Sequence, residues 1–92
     1  MSATIWELSG KVKSSKYRHK VIIAISQNIL TPTEIKEETS LSMPHTSRAL
    51  RELSDLGLIE CKNPKSKKGK LYAITKLGQQ AIGKLTKEKH KN

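Results

Sequence analysis

The sequence has almost no aromatic residues. Phe is absent, and one Trp and two Tyr bring the total to 3%. Any core must therefore be aliphatic. The scarcity also leaves no rings between the basic residues for nucleobases to stack on, which argues against a single-strand binding platform. A single Cys, Cys61, excludes a disulfide framework and a cysteine-based metal cluster, and it fits a reducing, intracellular setting. The longest apolar run, residues 21–25, is far too short to span a bilayer, and the N-terminus lacks the charged and apolar regions of a signal peptide. No glycine-rich phosphate loop is present, nor a carboxylate pair in an apolar setting, nor a Ser or Cys with a His and an orienting acid. No catalytic residue is therefore assigned, and the chain is not expected to be an enzyme. His19, His45 and His90 are too scattered to form a metal site. No metal, cofactor or small-molecule ligand is expected.

Acidic residues are also few. Against 8 Asp and Glu stand 18 Lys and Arg, giving a formal charge of +10 over 92 residues. This length sets an expectation of one domain. The charge is concentrated in three places: residues 11–20, residues 62–70, and a tail with Lys84, Lys87, Lys89 and Lys91. Between the first two, Glu34, Glu37 and Glu38 outnumber Lys36. Self-repulsion in such blocks destabilises a compact chain unless a partner absorbs it, so the charge points to a polyanion.

Periodicity supplies the elements. Thr4 and Glu7 have capping-box spacing, and Ile5, Leu8 and Val12 follow at helical intervals, interrupted by Gly10. Tyr17, Val21, Ala24 and Ile25 share one helical face, and Asn28 suits a stop. Ile29 and Leu30 are long enough only for an extended connection or a two-residue strand. Thr31, Pro32 and Glu34 form the clearest helix start, opening a short helix to about Thr39. After a tight turn, Ser42 caps another helix with Pro44 in its first turn. There Thr46, Ala49, Leu50, Leu53 and Leu56 face inward, while Pro44, Arg48 and Arg51, flanked by His45 and Ser47, face outward. Gly57 is a natural residue beyond its end. The period then shortens to that of strands at residues 58–62 and 71–74, joined by a turn-rich basic loop. Thr75 starts a last helix with Leu77, Ala81, Ile82 and Leu85 inward.

Two short helices joined by a tight turn, then a basic hairpin and a final helix, make a helix-turn-helix with a wing. Residues 34–53, Leu58-Ile59-Glu60 and residues 69–78 together resemble winged-helix transcriptional regulators of the ArsR/MarR type, with a cast similar to small archaeal members. The resemblance covers about residues 15–86. It implies an α+β, mostly helical fold: a winged helix-turn-helix with a three-helix core, a basic β-hairpin wing and a C-terminal helix. The whole chain is then one DNA-binding domain, with residues 1–14 as an N-terminal helical extension and 86–92 as a frayed basic tail. Ser40 stands where the family usually has Gly, Lys36 where it has a small residue, and Thr46 where an apolar residue is common. In a left-handed conformation Ser40 would cost about 1 kcal/mol. At Lys36 the two helices are expected to sit slightly apart, or its stem to lie along the surface with the amine in water.

In this family the second helix of the motif enters the major groove. The resemblance therefore assigns Met43, Pro44, His45, Ser47, Arg48 and Arg51 to DNA recognition, with the arginines able to grip guanine O6 and N7. Thr33 and Ser42 are phosphate candidates near helix starts. Lys62, Lys65, Lys67, Lys68 and Lys70 are wing residues for the phosphate backbone or minor groove, and residues 11–20 could touch a flanking turn. The expected function is a sequence-specific double-stranded DNA-binding transcriptional regulator, cytoplasmic and nucleoid-associated. A homodimer is expected, because one module makes few base contacts, with the segment around Trp6 and the last helix as available surfaces. Two alternatives stay open: a winged helix for protein interaction within a transcription or processing complex, and a sequence-neutral chromatin protein.

Overall fold

The computed structural model describes the backbone of residues 4–90 and the side chains of residues 4–83. Helix α1 (Ile5–Lys13) starts at the capping box foreseen, with the Glu7 N–H donating to Thr4 Oγ1 at 3.2 Å and the Thr4 N–H to Glu7 Oε1 at 3.1 Å. Helix α2 (Lys16–Gln27) is capped by Ser15 and ends at Asn28. Helices α3 (Pro32–Thr39) and α4 (Met43–Asp55) form the helix-turn-helix, with Thr31 and Ser42 as caps. Strands β1 (Ile59–Cys61) and β2 (Tyr72–Ile74) are antiparallel, with Ile59 opposite Ile74 and Cys61 opposite Tyr72. Helix α5 (Lys76–His90) closes the fold. The side chains of the basic tail and of His90 lie outside the described residues.

Leu30 exchanges two backbone bonds with Tyr72, at 2.8 and 3.1 Å, and so adds a one-residue third strand on the free edge of β2. That edge would otherwise expose unpaired N–H and C=O groups. The core is aliphatic: Val12, Val21, Ile22, Ile25, Ile35, Leu50, Leu53 and Leu58 are all buried. Ile22 belongs to this set although the helical face read from the sequence omitted it. Lys36 is exposed. Tyr72 and Cys61 are half-buried, and burial, together with the nearby Cys61 thiol, pushes the Tyr72 phenol above its ordinary value.

Two turns orient the site. Ser40 adopts φ 61° and ψ 22°, the left-handed conformation, as its N–H closes α3 on the Lys36 carbonyl at 2.9 Å. The strained alternative is therefore the one this serine takes. At the far end of α4, Gly57 has φ 76°, and the paired bonds Gly57 N–H to Ser54 O (2.9 Å) and Leu58 N–H to Leu53 O (3.0 Å) make a Schellman end. Leu58 is thereby turned into the core beside Leu53 and the chain is aimed into β1.

The N-terminal helix lies against α5. Leu8 and Val12 are buried, and the buried Ser9 hydroxyl donates to the Ala81 carbonyl at 3.1 Å. Trp6, on the same helix, is 60% exposed and does not enter the core of the monomer. Helix α5 approaches β1 closely at Gly78, where a Cβ would stand 2.1 Å from the Leu58 carbonyl oxygen and 2.7 Å from Ile74 Cγ1.

Candidate nucleic-acid interface

Helix α4 divides cleanly. Its inner face carries Thr46, Ala49, Leu50 and Leu53, all buried. Thr46 tolerates burial because its hydroxyl donates to the Ser42 carbonyl at 2.9 Å. The opposite face presents Met43, Pro44, His45, Ser47, Arg48 and Arg51, every one exposed. Ser42 is exposed as well, and its hydroxyl accepts the His45 N–H at 3.3 Å, so it caps the helix. Thr33 is exposed on the first turn of α3.

The outward face is braced from α2. The His45 ring stacks on Tyr17 with centroids 4.2 Å apart. Tyr17 was read as part of the apolar face of its helix, yet it is 37% exposed, because its ring serves the α2–α4 junction. Two turns further along α4, the Glu52 carboxylate accepts from two arginines: Arg18 Nη1 at 2.9 Å and Arg48 Nε at 3.2 Å. The two guanidiniums hold Glu52 below the ordinary glutamate range. Tyr17, Arg18, His45, Arg48 and Glu52 line one open groove of about 250 Å³ between the helices.

Arg18 stands apart from the basic block that surrounds it in the sequence. Its Nε donates to the Lys11 carbonyl at 2.9 Å and its Nη2 to Ser14 Oγ at 3.2 Å, besides the bond to Glu52. These bonds join the end of α1, the start of α2 and α4, so Arg18 is structural. The sequence offered no sign of this, since Arg18 and Glu52 lie far apart along the chain.

The wing is organised by Asn63. Its Oδ1 accepts the Leu71 N–H at 2.7 Å, and its Nδ2 donates to the Gly69 carbonyl at 3.2 Å. The Cys61 thiol also approaches Oδ1, at 3.5 Å, and within the loop the Ser66 hydroxyl donates to the Lys68 carbonyl. Lys65, Lys67 and Lys68 are exposed in this tied loop, whereas Lys70 is half-buried and Lys62 pairs with Glu60 at 3.4 Å. Among the described residues, no three His, Cys, Asp or Glu side chains come together as a metal site would need, and no helix is long and apolar enough to cross a membrane.

No protein-family model matches the chain, and no curated protein matches it. Solved structures do. TubR from Bacillus thuringiensis serovar israelensis pBtoxis, bound to 24 bp of tubC, is similar with a TM-score of 0.81 at 18% identity, over 96% of this chain and 98% of that one. The homodimeric winged helix-turn-helix DNA-binding domain of Mb0332 from Mycobacterium bovis, a possible ArsR-family regulator, gives 0.72 at 18%, over 96% and 82%. The MarR family regulator SP03579 gives 0.76 at 18%, over 92% of this chain. The present chain spans only 58% of that regulator's length. With its helix-turn-helix, hairpin wing and closing helix, this chain has the winged helix-turn-helix fold, and its neighbours among solved structures include MarR- and ArsR-type regulators.

Proposed function

We propose that this chain is a sequence-specific double-stranded DNA-binding transcriptional regulator, acting as one winged-helix domain on the nucleoid. The observation that carries the reading is the outward face of α4, where His45, Ser47, Arg48 and Arg51 stand exposed opposite a fully buried inner face. This helix enters the major groove, and Arg48 and Arg51 supply base contacts. Thr33 and Ser42 touch phosphates beside it, and the wing lysines meet the backbone or minor groove. The net charge of +10 provides the sequence-independent part of the affinity. TubR, similar in fold, is bound to DNA in its structure, which favours nucleic acid over a protein partner. The similar Mb0332 domain is homodimeric, and a homodimer is proposed here through α1 and α5. SP03579 is described as a transcription regulator, Mb0332 as a possible one and TubR as bound to DNA, which supports a binding role over catalysis.

Selection of bound duplexes from a random library tests the reading. One preferred sequence should emerge and survive excess random competitor. Arg48→Ala should then cost roughly 1–3 kcal/mol on that duplex and relax selectivity at one base pair. Uniform binding of all duplexes would favour a sequence-neutral chromatin protein. If the folded variant binds every duplex as tightly as the parent, the groove placement is wrong and a protein-interaction module takes its place.

A further inference from the structure

We propose that Glu52 is a positioning residue for base recognition: clamped by Arg18, its carboxylate holds the Arg48 guanidinium so that the terminal N–H fork faces a guanine edge. The inference rests on the DNA-binding reading above and adds to it a residue of the wrong charge to attract DNA.

The Arg48 side chain is 73% exposed and by itself would sample many rotamers. An exposed ion pair one helical turn away is weak and mobile when both partners are free. Here one partner is not free. The Arg18 side chain is only 20% exposed, and its three nitrogens go to three different acceptors, on Lys11, Ser14 and Glu52. That fixes one carboxylate oxygen of Glu52 at 2.9 Å, and with it the direction of the other, which receives Arg48 Nε at 3.2 Å. The lowered pKa of Glu52 fits a carboxylate that stays charged between two guanidiniums.

The choice of Nε matters. A guanidinium has five N–H groups, one on Nε and four on the two terminal nitrogens. With Nε held, the terminal pair stays free as a fork of the shape that grips O6 and N7 of guanine. The arrangement lowers the ordering penalty Arg48 meets on binding, in the way preorganised contacts do. The carboxylate also repels phosphate. Its presence therefore weakens binding to DNA of any sequence while sharpening the reading of one base.

These opposite signs supply the test. Full-length parent, Glu52→Gln, Arg18→Lys, Arg48→Ala and the double variant Glu52→Gln/Arg48→Ala are titrated with the selected duplex, its single-base variants and random duplex. Salt is fixed and melting temperatures are recorded. Arg48→Ala should remove about 5- to 150-fold of selectivity at one base pair, the fold-change equivalent of a good bidentate contact. Glu52→Gln should lose a several-fold part of that at the same base pair while binding random duplex more tightly than the parent. Arg18→Lys keeps the net charge and should lose selectivity at that pair too. It carries the test if Glu52→Gln fails to fold. The double variant should be no less selective than Arg48→Ala alone. Full selectivity in folded Glu52→Gln or Arg18→Lys overturns the proposal. So does loss at a different base pair, which would mean that Glu52 contacts a base itself, or further loss of selectivity on top of Arg48→Ala. If Arg48→Ala leaves selectivity untouched, the groove reading fails first and this inference falls with it.

Discussion

The Tyr17 ring lies nearly flat on His45, its plane 14° from parallel, and so ties the first turn of α2 to the first turn of α4. The contact uses ring faces and not the phenol hydroxyl. Tyr17→Phe should therefore leave stability unchanged, and Tyr17→Ala should lower it by about 1 kcal/mol, the range of an aromatic pair. Denaturant titration of both variants checks this. Equal losses would assign the effect to the hydroxyl.

Ser40 occupies the left-handed region that glycine enters freely. Ser40→Gly should stabilise the protein by about 0.5–1 kcal/mol, a rise of several degrees in melting temperature for a domain of this size. A lower melting temperature would mean that the serine side chain contributes more than its backbone strain removes.

Gly78 is required for space and not for φ. A methyl group there meets the Leu58 carbonyl oxygen and Ile74 Cγ1 at distances no packing allows. Gly78→Ala should cost about 3 kcal/mol, the upper end of ordinary overpacking, because a backbone carbonyl cannot rotate aside as a side chain can. Gly83→Ala, where a Cβ would meet nothing within 4 Å, is the control and should be neutral or stabilising. Thermal melts of the two variants separate crowding from helix propensity.

The acid limb of stability should show Glu52. Its pKa in the folded chain is below the ordinary glutamate value, so the folded state holds that proton less tightly than the unfolded state. Stabilisation from the two arginines is complete above the unfolded pKa and is lost as pH falls through the depressed folded value. The stability gap between parent and Glu52→Gln should be constant from about pH 7 to about pH 5.5 and close only in stronger acid. A gap that closes near neutrality would point to another group.

In the wing, replacing Lys65, Lys67 and Lys68 together with Ala should weaken binding to selected and random duplexes nearly alike. With a slope near −0.9 per phosphate contact, the salt dependence should flatten by about 2–3 units. An unchanged slope would remove the wing from the interface.

Local chemistry made most of the fold legible. The capping boxes at Thr4 and Thr31, Ser42 as a cap, and the end of α4 at Gly57 each depend on residues within one turn of each other, and all stand where the sequence put them. The inward side of α4, including Thr46, followed from periodicity alone. What escaped depends on partners brought in by tertiary structure. A helical wheel gives a direction but not what stands opposite, so Tyr17 was placed among apolar residues when its partner is His45. Arg18 read as one more cation in a basic block because Glu52 is 34 residues away in sequence. Leu71 N–H and Gly69 C=O could not be known to converge on Asn63, which the sequence placed simply within the turn-rich loop.

The Asn63 amide has a bearing on how the protein ages. Asparagine side chains hydrolyse to aspartate chiefly when the backbone nitrogen of the next residue attacks the amide carbon. The next residue here is Pro64, whose ring nitrogen carries no hydrogen and cannot close that imide. Conversion to aspartate would remove the Nδ2 donor from the Gly69 carbonyl and add a negative charge to the loop that carries Lys65, Lys67 and Lys68. The residue that ties the wing is thus followed by the one neighbour that blocks this route, and the lysine loop should keep its charge against imide-driven deamidation.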